Sequence, residues 1–93
     1  MPYETMVIEV MDRVIQLANS QVSRRMWYQI KNACPYNSRY IDSKGRCRVP
    51  TVTITIVVHI LRELGFKVRR KYWAKGKTSK YYFLIDLDDL MNS

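Results

Sequence analysis

From the N-terminus, Val7, Val10, Met11, Val14, Leu17 and Ala18 recur at three- and four-residue intervals, the spacing that sets side chains on one face of an α-helix. This pattern predicts a first helix over residues 3–18. Asn19 and Ser20 favour a break, because their side chains compete for backbone hydrogen bonds. Ser23 suits an N-cap, and Met26, Trp27, Ile30 and Ala33 fall at helical spacing behind it, so a second helix is expected to about residue 33. It would hold Trp27 in the core and turn Arg24, Arg25, Tyr28 and Lys31 outward. Pro35 ends it, since the residue before a proline is pushed out of helical geometry. Residues 34–49, punctuated by Pro35, Asn37, Ser38, Asp42, Ser43 and Gly45, read as a loop. The loop is long for so small a domain, which points to function.

Residues 50–65 carry two competing periods. Thr51 to Ile56 alternate polar and apolar in the manner of a strand, and nearly all are β-branched. As a helix, the same segment puts Ile54, Val57, Val58, Leu61 and Leu64 on one face and Thr51, Thr55, His59 and Arg62 in a polar stripe beside it. Pro50 at the first turn, Gly65 at the stop and a length beyond that of an ordinary strand favour the helix. That reading leaves Val52, Ile56 and Ile60 poorly buried within one chain. Beyond Gly65, residues 66–73 and 81–87 alternate as two strands of an antiparallel hairpin, with Gly76 in the tip between them. Residues 88–93 would add a last helical turn or fray.

With 93 residues, the chain suffices for one domain spanning residues 1–93 and is too short for two. Its 47% hydrophobic content, with seven Tyr, two Trp and two Phe, excludes the composition of a disordered segment. The absence of an apolar run of bilayer length, and of a basic and then apolar leader, leads to the expectation of an intracellular, cytoplasmic protein without a membrane partner. The net charge is +8, but it is unevenly distributed. Residues 1–20 are net acidic, with Glu4, Glu9 and Asp12 against Arg13, and residues 82–93 carry only Asp86, Asp88 and Asp89. The positive charge therefore sits between them, as a footprint for a polyanion rather than a generally solubilised surface.

The predicted order, three helices followed by a two-stranded antiparallel hairpin, is an α+β arrangement. With Val57 to Val68 (VVHILRELGFKV) running from the third helix into the first strand, it resembles the winged-helix branch of the helix-turn-helix DNA-binding domains. The resemblance covers residues 3–87 and extends in general character to small regulators of archaea and their viruses, which would place the protein in the host cytoplasm if viral. The long stretch between the second and third helices departs from the family's tight turn. What the resemblance implies is a non-enzymatic, sequence-specific transcriptional regulator that docks its third helix in the major groove of double-stranded DNA, with the hairpin as a wing on the backbone or an adjacent groove. Thr51, Thr55, His59 and Arg62 would face the groove, with Val52 and Ile56 toward thymine methyls. Arg69, Lys71, Lys75, Lys77 and Lys80 would neutralise phosphates from the wing, Arg24, Arg25 and Lys31 from the second helix, and Arg39, Lys44, Arg46 and Arg48 from the loop. A homodimer is expected, since such proteins commonly bind paired half-sites and the apolar face of the first helix, with Tyr3 and Met6, exceeds what so small a core consumes. Two other readings remain open: a protein-interaction module using Val52, Ile56 and Ile60, and a single-stranded or RNA-binding protein built on the aromatic hairpin.

The two cysteines, Cys34 and Cys47, with a single histidine, fit neither a paired-cysteine metal motif nor a nucleophilic pair with supporting groups. No metal, cofactor or small-molecule substrate is expected. Because they flank the long loop, a disulfide between them would close it at its base, the alternative being two reduced thiols.

Overall fold

The computed structural model describes residues 2–73 and 78–91. Helix α1 (Tyr3–Ser20) buries Val10 and Val14 completely, with Met6, Val7, Leu17 and Ala18 packed around the same core. This is the face that the spacing predicted. The next segment differs from the expected second helix, because Arg25–Gln29 is a β-strand, β1. Met26 and Tyr28 turn toward the core while Arg25 and Trp27 face solvent, and two short 3₁₀ turns, Ile30–Ala33 and Tyr36–Ser38, follow. Aromatic residues suit a pleated surface, and pairing with a C-terminal strand satisfies the β1 backbone, so tertiary context overrides the helical spacing. Trp27, expected in the core, is 40% exposed.

The long loop is partly ordered by a hairpin of its own. Strands β2 (Tyr40–Ile41) and β3 (Cys47–Arg48) pair antiparallel around a turn in which Gly45 adopts φ +76°. Asp42 closes that turn. Its backbone N–H donates to the Arg46 carbonyl, and its carboxylate accepts the N–H groups of Lys44 and Arg46, both at 2.9 Å.

Helix α2 (Thr51–Glu63) resolves the competing periods in favour of the helix. Its inner face is rotated from the expected one. Thr53, Val57, Val58, Ile60 and Leu61 are buried, Ile54 and Ile56 flank them, and Leu64 is largely exposed. Ile60, expected at the surface, is only 1% exposed. The helix stops through a pair of backbone bonds, Phe66 N–H to the Leu61 carbonyl at 2.9 Å and Gly65 N–H to the Arg62 carbonyl at 3.0 Å. This 6→1 and 5→2 pairing is the Schellman motif, which demands a left-handed residue, here Gly65 at φ +94°.

The chain then enters β4 (Val68–Trp73) and returns in β5 (Thr78–Asp86) before a final turn of helix, α3 (Leu87–Met91). The expected hairpin is present but does not stand alone. β1 adds to its other side in an antiparallel sheet of order β1-β5-β4, with Tyr28 and Val68 both opposite Phe83. The inner face of this sheet carries Phe83 and Ile85, fully buried against α1, α2 and the first 3₁₀ turn. Phe83 packs against Tyr28 at 5.9 Å and edge-on against Phe66 at 6.3 Å between ring centroids. Among the described residues the fold is therefore α+β, with three α-helices, but the second predicted helix is a strand and the third α-helix is C-terminal.

Candidate nucleic-acid interface

Because α2 packs inward through Thr53, Val57, Ile60 and Leu61, the residues between them point away from the protein. Thr51, Val52, Thr55, His59, Arg62 and Glu63 are all exposed. Thr51, Thr55, His59 and Arg62 thus lie in the outward stripe expected of them, with Val52 beside them and Ile56 half-buried at its margin. Thr55 returns its hydroxyl to the Thr51 carbonyl at 3.1 Å, a contact that a competing acceptor can replace. His59 Nε2 lies 3.5 Å from Glu63 Oε1, both at the surface, and the helix starts without a side-chain cap.

The sheet contributes the second part. Strand alternation puts Arg69, Lys71, Lys80 and Tyr82 on the face opposite to Phe83, and the register sets Lys71 directly across from Lys80 and Arg69 across from Tyr82. Lys75 and Lys77 of the expected tip lie outside the described residues.

The remaining predicted contacts are dispersed, and several are already occupied. Arg24 is hydrogen-bonded and ion-paired to Asp88, a contact that raises the guanidinium pKa and holds the carboxyl below its usual range. Arg25 meets Asp86 at 3.2 Å. The acidic C-terminal segment thus neutralises the two arginines that sequence spacing assigned to a helical phosphate clamp. Arg46 and Arg48 converge on Asp42 at 3.4 and 3.7 Å, while backbone hydrogen bonds from Arg46 and then Lys44, with the two guanidinium groups, hold the Asp42 carboxyl below its usual range. Arg39 is half-buried, donates to the Lys31 carbonyl and lies over the Tyr36 ring, whose other neighbour is Arg13 at 4.0 Å from the centroid. Lys31 and Lys44 are exposed.

The cysteines do not form the expected bridge. Both are free and beyond bonding distance, Cys47 exposed on β3 and Cys34 buried. The first 3₁₀ turn draws Cys34 into the core, where its thiol meets the Ile30 carbonyl at 3.4 Å and burial pushes its pKa up to about 11. A buried thiol cannot reach an exposed partner on the projecting hairpin without backbone movement. Among the described residues, no three His, Cys, Asp or Glu side chains come together as a metal site, and no helix is long and apolar enough to cross a membrane.

Two features escaped the sequence reading: Trp27 on the outer sheet face, where Arg69 places its guanidinium 5.2 Å from the ring centroid, and the pairing of the acidic C-terminal segment with Arg24 and Arg25. The alternation of Met26, Tyr28 and Ile30 was the available signal for the first. No protein-family model, curated protein or solved structure matches the chain.

Proposed function

We propose that the protein binds double-stranded DNA as a winged-helix regulator, presenting the outward stripe of α2 to the major groove and the basic β4–β5 hairpin to the neighbouring backbone. The observation that carries this reading is the exposed stripe itself: Thr51, Val52, Thr55, His59 and Arg62 stand on a helix whose opposite side is locked into the core and whose C-terminus runs through Gly65 into a strand bearing Arg69, Arg70 and Lys71. A rigid helix with short hydrogen-bonding groups, an apolar residue and an arginine along one side has the complement of contacts that base edges require. The adjacent cations supply the sequence-independent attraction.

The protein-interaction alternative loses its patch, because Ile60 is buried and Ile56 half-buried, leaving Val52 alone. The proposed DNA-binding unit is a pair of chains. Ile8 and Ile15, 61% and 49% exposed, lie seven residues apart on α1 with half-buried Met11 between them, on the net acidic segment where two otherwise basic molecules repel least. Met6, expected at this surface, instead packs on the core.

Electrophoretic mobility shifts with random duplex, single-stranded DNA and RNA at rising salt test the main reading. Retention of duplex that falls steeply with salt is expected. No retention of duplex at low salt rejects it.

A further inference from the structure

The β1-β5-β4 sheet has two faces, and the core consumes only one. On the outer face, Trp27 of β1 stands across from Leu84, Gln29 across from Tyr82, Arg69 across from Tyr82 from the other side, and Lys71 across from Lys80. Leu84 is buried, but Trp27 leaves 40% of its surface in water. A tryptophan burial forgone on this scale is costly to a small domain, whose stability depends on a few large side chains. Arg69 reaches Trp27 from two strands away. Neighbouring strands lie about 4.8 Å apart, so its stem must cross the central strand to place the guanidinium 5.2 Å from the ring centroid.

The result is an aromatic ring and a guanidinium plane side by side on an open sheet, with Lys71 and Lys80 farther along the same face toward the hairpin tip. The carboxylate that alternation adds to this face, Asp86, sits at the opposite end and is held by Arg25 at 3.2 Å. Cations, flat π-surfaces and a distant, neutralised acid are complementary to a polyanion that also offers flat faces.

We propose that the outer face of this sheet is a second nucleic-acid site, which takes single strands by stacking bases on Trp27 and the Arg69 guanidinium while Lys71 and Lys80 attract the backbone. An unpaired base exposes the face that stacking requires, whereas a duplex hides it, and an open sheet has no projecting element to enter a groove. The site shares Arg69, Lys71 and Lys80 with the hairpin surface proposed for duplex DNA, whereas Trp27 lies outside that surface and the α2 stripe lies outside this one.

Fluorescence anisotropy of a labelled oligothymidylate, run beside a labelled duplex, tests the proposal. Trp27→Ala should weaken oligothymidylate binding about tenfold, within the usual range for one stacked base. Arg69→Ala should weaken it as well, and Trp27→Phe, which keeps a ring, should retain most of it. Thr55→Ala and Arg62→Ala should lower duplex affinity and leave oligothymidylate binding intact, so the two readings can fail separately. In a Trp73→Phe background Trp27 is the only tryptophan, and its emission should be quenched by oligothymidylate but not by inorganic polyphosphate. Absence of oligothymidylate binding, binding unchanged by Trp27→Ala and Arg69→Ala, absence of Trp27 quenching, or an equal response to polyphosphate overturns the proposal.

Discussion

At the scale of single residues, environment rather than identity decides what each group can do. Cys34 and Cys47 are the same thiol in opposite settings, and burial, opposed by the charge of Arg39, raises the first from its ordinary 9.0 to about 11. Iodoacetamide should therefore modify Cys47 rapidly in the native protein and Cys34 only as fast as the fold opens; equal rates at both would contradict this placement. The same shift has a consequence for stability. Below pH 9 the thiol is protonated in folded and unfolded chains alike, so its contribution is fully present; as pH rises toward 11 the unfolded chain ionises first and stability falls. Urea midpoints taken between pH 8 and 11 should decline for the native sequence and decline less for Cys34→Ala, each relative to its own value at pH 8. The ion pairs follow a similar logic. Arg24, Arg25, Arg46 and Arg48 looked alike as positive charge in the sequence, yet each has a carboxylate beside it. Asp86 and Asp88 lie far along the chain from Arg25 and Arg24, beyond the reach of local spacing, whereas Asp42 meets Arg46 and Arg48 across a turn.

At the scale of elements, legibility followed the strength of local signals. The first helix, the helix from Thr51 and the hairpin were readable because a sustained period or a clear stop marked each of them. Gly65 is the clearest such stop. An added Cβ there meets nothing within 4 Å, so the whole cost of Gly65→Ala is backbone strain at φ +94°, about 1–2 kcal/mol. A urea titration should show that loss, with Gly65→Asn recovering part of it, because asparagine tolerates the left-handed region better than alanine. An unchanged midpoint for Gly65→Ala would remove the strain argument. Strand β1 was missed for the converse reason. Met26, Ile30 and Ala33 satisfy a helical spacing, Met26, Tyr28 and Ile30 satisfy a strand spacing, and the deciding partner, β5, lies more than fifty residues away. The rotation of α2 about its axis has the same origin, since Thr53 looked polar in the sequence and became buried only when α2 met the rest of the core.

At the scale of the whole molecule, charge and shape divide the surface into sectors. The outward side of α1 carries Ile8 and Ile15 on an acidic segment, α2 presents its polar stripe, and the outer sheet face is basic and aromatic. Light scattering should find a dimer for the native sequence and a monomer for Ile8→Asp with Ile15→Asp, and a native monomer at high micromolar concentration, with and without DNA, would contradict the paired arrangement. In the proposed complex, duplex DNA meets the α2 stripe and the basic hairpin. Its most direct test is the slope of log affinity against log salt on a duplex, measured for the native chain, for Lys71→Ala with Lys80→Ala, and for Arg24→Ala with Arg25→Ala. The expected result is a steep negative slope that becomes shallower by about 0.9 for each hairpin lysine removed and changes little when the acid-paired arginines are removed. A flat slope for the native chain, or a larger change from the Arg24 and Arg25 pair than from the lysines, would contradict it.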